Sequence, residues 1–149
     1  MDMLNEDFAE FARLLEKADV RYLIVGGYSV ALHGFPRYTG DIDFFVALNP
    51  ENAAKLVRVF EQFGFADLGL REEDFSRPNY VIEIGREPRK IQILTGIDGV
   101  RFEDAWANRV EEDIDGMNLK FIGKKDLLIN KRASGRPKDE IDLLELEDK

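Results

Sequence analysis

Two short apolar runs, each marked by residues that strand interiors avoid, constrain this chain more than any other feature. Residues 21–25, Arg-Tyr-Leu-Ile-Val, read as a strand that stops at Gly26-Gly27. Residues 41–48 read as a second strand, and it opens on Asp41-Ile42-Asp43. Side chains alternate along a strand, so Asp41 and Asp43 share one face while Ile42 and Phe44 take the other. Two ionised carboxylates side by side repel each other unless water or a cation lies between them. Mg²⁺ suits such a place, because it takes one or two carboxylates and fills the rest of its shell with water and substrate phosphates. The glycines allow close backbone approach to a ligand, and a helix starting just after them turns free N–H groups toward an anion. Either feature alone is weak. Gly-Gly after a strand is often only a turn, and Asp-x-Asp in an acidic chain often lies in solvent.

The rest of the chain reads as helices and hairpins around these two strands. Leu4, Phe8, Phe11 and Leu15 recur at helical spacing and predict a first helix that ends at Asp19-Val20. Residues 28–33 predict one or two helical turns, with Gly34 as the cap and Pro36 beyond. Asn49-Pro50-Glu51 is a strong helix start, and that helix runs to about Phe63 before Gly64 stops it. After a loop over residues 71–78, residues 80–84 and 90–94 predict two strands joined through 85–89. A short helix over 102–109 is expected to bury Trp106, and Asp115-Gly116 turns a hairpin between 110–114 and 117–122. Helices from Lys124 to about Arg132 and from Lys138 to about Leu146 close the chain. The pattern predicts an α/β (α+β) fold, a mixed β-sheet flanked by helices and ending in C-terminal helices. At 149 residues the chain is expected to be one domain, with a core over about 20–100 and the hairpin and helices over about 101–149.

Composition removes several kinds of chemistry. With no cysteine and one histidine, His33, thiolate metal sites, thiol nucleophiles and multi-histidine zinc centres are out. His33 is expected to be structural. The net charge of −9 opposes coating of duplex nucleic acid. A basic stretch runs against that trend: Lys120 to Lys138 holds seven Lys/Arg and one acid, Asp126. An anion is expected to be held there, by Lys131, Arg136 or Lys138. The bland alternative is a solvated helix face with Asp139 and Asp142 pairing locally. An acidic start without an apolar core segment, and no run of ~20 apolar residues, predict a cytoplasmic protein without a membrane segment.

Taken together, Gly26-Gly27, thirteen intervening residues and Asp41-x-Asp43 resemble the signature of the nucleotidyltransferase superfamily with the DNA polymerase β-like fold. Arg37-x-Thr39-x-Asp41-Ile-Asp43 and the tail from Asp126 through Lys131, Gly135-Arg136-Pro137-Lys138-Asp139 to Asp142-Leu resemble the small bacterial AbiEii-like and minimal branch. The resemblance implies that Gly26 and Gly27 lie along a nucleoside triphosphate, with Ser29 adding a hydroxyl. Asp41 and Asp43 are implied as the catalytic ligands of Mg²⁺ (or Mn²⁺), and Arg37 and Lys131 as nucleotide-binding. The implied reaction is attack by an acceptor on the α-phosphorus with loss of pyrophosphate. On the same basis the acceptor is a tRNA or another RNA, or a partner protein in a toxin–antitoxin pair.

One departure stands out. The superfamily has a third carboxylate on a later strand, where the best match here, Lys90-Ile-Gln92-Ile-Leu94, carries Gln92. Glutamine offers a carbonyl oxygen but no charge and cannot act as a general base. Glu83 on the neighbouring strand substitutes only if its side chain faces the same way. The second reading is therefore a catalytically degenerate nucleotide- or partner-binding protein on the same scaffold. A third is an antibiotic-modifying enzyme, for which the chain is expected to be short.

Overall fold

The structure is a computed structural model that describes residues 4–36, 39–86 and 88–147. Its first helix, α1 (Glu6–Lys17), begins where Asn5 accepts a hydrogen bond from the Phe8 amide at 2.9 Å, and it buries Phe8, Phe11, Ala12 and Leu15. Strand β1 (Tyr22–Val25) is followed without a break by α2 (Gly26–Leu32), which starts two residues earlier than its sequence predicts. Strand β2 (Ile42–Val46) is shorter than expected at both ends and leaves Asp41 just outside it. Helix α3 (Pro50–Phe60) opens as anticipated, with Asn49 accepting from the Asn52 amide at 2.8 Å. It unwinds through a wide turn, Glu61–Phe65, in which Gly64 reaches φ 101°. The loop that follows is pinned by Phe75, fully buried on a short helical turn, Glu72–Phe75.

Strands β3 (Val81–Arg86) and β4 (Arg89–Leu94) run closer together than predicted, so the connection is tighter than residues 85–89. Helix α4 (Phe102–Ala107) leads into the hairpin of β5 (Val110–Ile114) and β6 (Met117–Phe121), then α5 (Lys124–Ser134) and α6 (Pro137–Glu147). Trp106 is only half-buried, against expectation: it stacks on Phe102 and lies under the Arg109 guanidinium at 4.0 Å. An indole at the rim keeps its cationic partner solvated, which core placement would not allow.

The six strands form one mixed sheet in the order β3-β4-β2-β1-β6-β5. Pairing is antiparallel for β1–β2, β3–β4 and β5–β6, and parallel for β1–β6 and β2–β4. Alternation divides the apolar residues between two cores. Ile42, Phe44 and Val46 face α1 and α3, in a core that also takes Phe8, Phe11 and Phe60. On the other face Val25 and Phe45 pack with Val30, Phe102, Leu127 and Leu146 from α2, α4, α5 and α6. The predicted architecture, a mixed sheet flanked by helices with helices at the C-terminal end, is the one observed. No helix among the described residues is long and apolar enough to cross a membrane.

Candidate functional site

The second face of the sheet carries the polar row that matters. Antiparallel pairing sets Val25 opposite Asp43, so the chain leaving β1 turns at Gly26 directly beside that carboxylate. Gly26 has φ +68°, and a Cβ there would collide with the Asp43 side chain. Backbone conformation and lack of room both require glycine at this position. Parallel pairing then places Gln92 beside Asp43, and antiparallel pairing places Glu83 beside Gln92. Cross-strand neighbours point to one side of a sheet, so Asp43, Gln92 and Glu83 form a single row on one face. The orientation of Glu83, which sequence leaves open, is thereby decided. Its Oε1 accepts from the Gln92 amide at 3.0 Å and its Oε2 from Lys90 Nζ at 3.3 Å.

Asp41 joins the row from the end of β2. Its Oδ1 accepts from the Lys90 backbone N–H at 3.0 Å. Asp43 differs sharply, because its Oδ1 is buried and has no hydrogen-bond partner among the described residues. Burial, and then the charge of Asp41, push the Asp43 carboxyl up to about 6, against the pull of Lys138, Lys131 and Arg136. An orphaned buried oxygen costs stability unless something outside the protein completes it. The two carboxylates open into a cleft of about 350 Å³ shared with Gly26, Gly27, Thr39, Gly40, Gln92, Lys131, Arg136 and Lys138. A second recess of about 360 Å³ shares Gly26, Asp43, Lys131 and Arg136, and is walled by Val25, Val81, Leu94 and Ile97 with Asp98 and Asn130.

The basic wall is built by the turn between α5 and α6. Lys131 is buried and reaches Asp139 at 3.0 Å and Asp142 at 3.1 Å. Ser134 donates to Asp139 at 2.6 Å and the Arg136 Nε at 2.9 Å. Burial alone would raise the Asp139 carboxyl, but the hydrogen bonds from Arg136, Ser134 and Lys131 outweigh it and hold it well below the usual carboxylate range. The local pairing anticipated for Asp139 and Asp142 occurs, but inside the protein rather than on a solvated face. The two acids are three apart on α6, a spacing that puts both on one face of the helix. The sequence predicts this pairing only on a solvated face, because nothing local says that this side of α6 is buried.

Among the sequence-predicted site residues, Gly26, Gly27, Asp41, Asp43, Gln92 and Lys131 meet at this cleft. Ser29 does not. It is fully buried, and its hydroxyl donates to the Gly26 carbonyl at 2.7 Å, bracing the turn from behind instead of facing a ligand. Arg37 lies outside the described residues, as does Tyr38. His33 is structural, as expected: its Nε2 hydrogen-bonds the Ile122 carbonyl at 2.7 Å.

The residues present fit a divalent cation. They offer two adjacent carboxylates, one with a buried unsatisfied oxygen, and a neutral amide beside them. No cluster of three or more His, Cys, Asp or Glu able to hold a metal occurs among the described residues. A cation here needs further oxygens from phosphate or water, which is the ligand balance Mg²⁺ favours.

Residues 2–147 match a protein family described as "Nucleotidyltransferase of unknown function (DUF6036)". Three solved structures are similar in fold. A candidate nucleotidyltransferase of Thermotoga maritima superposes with a TM-score of 0.62 at 17% identity, covering 99% of this chain and 96% of its own. The lincosamide antibiotic adenylyltransferase LnuA, solved with lincomycin bound, gives 0.59 at 16% identity over 99% of this chain and 98% of that one. An antigenic nucleotidyltransferase-like protein of Paracoccidioides brasiliensis gives 0.56 at 16% identity over 94% and 74%. This chain spans the lincosamide enzyme's chain almost end to end. No curated protein matches.

Proposed function

We propose that this chain, which belongs to the DUF6036 family of nucleotidyltransferases of unknown function, binds a nucleoside triphosphate with Mg²⁺ (or Mn²⁺) and transfers its nucleotidyl group to an acceptor. The observation that carries the reading is the unsatisfied buried oxygen of Asp43, beside Asp41 and under the Gly26 turn, facing a basic wall. A protein that leaves a carboxylate this poorly served is arranged for a ligand that brings positive charge.

Asp41 and Asp43 are the residues to hold Mg²⁺, which when bound supplies charge neutralisation at the phosphates. The backbone of Gly26 and Gly27 lines the triphosphate, because no side chain intervenes. Arg136 and Lys138 offer it positive charge from the opposite wall, and Lys131 holds that wall in place through Asp139 and Asp142. Arg37, by the family resemblance, adds a further cation. An acceptor oxygen bonds to the α-phosphorus, the bond from that phosphorus to the bridging oxygen breaks, pyrophosphate leaves, and the acceptor proton passes to solvent. Positioning and electrostatics carry such a reaction, which is why a chain without cysteine can support it.

The acceptor follows from resemblance alone. The AbiEii-like tail suggests an RNA such as tRNA, or a partner protein as in toxin–antitoxin pairs, and similarity to the lincosamide enzyme adds a small hydroxylated molecule. A non-catalytic, nucleotide-binding reading is favoured by one observation, the neutral Gln92 in the carboxylate row. Incubating the protein with each of four α-labelled triphosphates, Mg²⁺ or Mn²⁺ and a cell lysate separates the readings. Label transferred by the wild type but not by the Asp41→Asn, Asp43→Asn variant is the expected result. Nucleotide binding by calorimetry with no transfer to any acceptor would replace the enzyme by the binder.

A further inference from the structure

The amide of Gln92 has a defined orientation, and Glu83 sets it. Gln92 sits on β4 between Glu83 on β3 and Asp43 on β2, in register with both. An ionised carboxylate only accepts hydrogen bonds, so the Gln92 group facing Glu83 must be its NH₂, and the observed contact is Nε2 to Glu83 Oε1 at 3.0 Å. The carbonyl oxygen is then the end of the amide turned away from Glu83, and Gln92 lines the cleft that Asp41 and Asp43 share. Glu83 is itself held: Lys90 Nζ binds its other oxygen at 3.3 Å, while the Lys90 backbone N–H binds Asp41 at 3.0 Å. One residue thus ties Glu83 to the acidic pair from behind.

We propose that Glu83 is a positioning residue, which aims the Gln92 carbonyl oxygen into the cleft as a third, neutral oxygen donor beside Asp41 and Asp43. The inference rests on the metal-dependent reading above. It explains how a chain without the third carboxylate keeps an oxygen donor at that place. The ligating charge is then −2, matched to one divalent cation per chain instead of two.

Titrating the purified protein with Mn²⁺ and following free Mn²⁺ by electron paramagnetic resonance tests this without reference to activity. The wild type should bind one Mn²⁺. Orienting partners of metal ligands are typically worth about 10–100-fold in affinity, and for a half-exposed pair Glu83→Ala should weaken binding about tenfold, at the low end of that range. Glu83→Gln keeps an acceptor oxygen and should stay within about threefold of wild type, which a purely long-range charge effect would not allow. In a Gln92→Ala background, Glu83→Ala should have no further effect, since the group it orients is gone. Equal losses from Glu83→Ala in both backgrounds, or none in the wild type, overturn the positioning role while leaving the metal site intact. A wild type that binds no Mn²⁺, like Asp41→Asn, Asp43→Asn, overturns the metal reading itself and this inference with it. Glu83 projects from an edge strand with its side chain 46% exposed, so these variants should fold, and thermal unfolding of each checks that.

Discussion

Two regions of this molecule each set a pair of acidic groups close together, wholly buried in one and half-buried in the other, and they treat them in opposite ways. In the α5–α6 turn, Asp139 and Asp142 are wholly buried, and Lys131, itself buried, stands between them. Ser134 and Arg136 complete Asp139. On β2, Asp43 is packed under the Gly26 turn beside Asp41, and one of its oxygens finds no hydrogen-bond partner among the described residues. The first region closes its own charge and fastens α6 to α5. The second leaves charge open in a cleft. Burial of a carboxylate is therefore no mark of a site by itself. The informative difference is whether the protein supplies the donors or withholds them.

The sharpest way to break the comparison is to remove the open charge. Asp41→Asn with Asp43→Asn should lower nucleotidyl transfer by about a thousandfold or more, since each carboxylate serves the charge the reaction must neutralise. Circular dichroism should stay unchanged. Transfer of label at near wild-type rate would show that the open pair is not the site.

Removing the cation from the closed region should instead damage the fold. Lys131→Met leaves two buried acids without their shared partner, and breaking such a pair costs about 3–5 kcal/mol. Urea denaturation measures it, and a loss under about 1 kcal/mol would mean that the cluster is not closed in solution.

The third test inverts the sign. Because the Asp43 carboxyl is raised to about 6, the folded state disfavours its ionised form. That penalty is absent below about pH 4, grows between about 4 and 6, and is complete above. Asp43→Asn should therefore stabilise the metal-free protein at pH 8 by ~1–3 kcal/mol, and by nearly nothing at pH 4. Mn²⁺ binding by the wild type should weaken as pH falls through about 6, because the cation competes with a proton. A variant less stable than wild type at pH 8 would show that Asp43 is satisfied after all. The smallest effect serves as a control outside both regions. Asn5→Ala removes the α1 cap and should cost about 1 kcal/mol in thermal unfolding with no change in Mn²⁺ affinity.

Legibility followed the range of the interaction involved. The helix start at Asn49, the Asp115-Gly116 turn and the shared face of Asp41 and Asp43 are set by neighbours within a few residues and could be read directly, whereas the cap at Asn5 emerged only with the structure. Gln92 could be picked out because the family resemblance expects a carboxylate on the strand that its apolar neighbours mark. Ser29 misled because a hydroxyl after Gly-Gly looks available, whereas one helical turn brings it back onto the Gly26 carbonyl. Lys131 was read as a cation near the site with Asp139 and Asp142 as local partners in the alternative, but its burial with both acids could not be read. Phe75 was hidden in a loop with no periodicity to mark it.

Local stereochemistry is enough to write strands, turns and helix starts into the chain, and to put Asp41 and Asp43 on one side of β2. It cannot say what stands beside them. The insertion of β4 between β2 and β3, which lines up Asp43, Gln92 and Glu83, depends on pairing between strands about fifty residues apart. The same holds for the burial that strips water from Asp43 and for the packing that hands Lys131 to Asp139 and Asp142. Register and desolvation are properties of the assembled sheet and its helices, and those two quantities separate an acid that the protein satisfies from one that it leaves for a ligand.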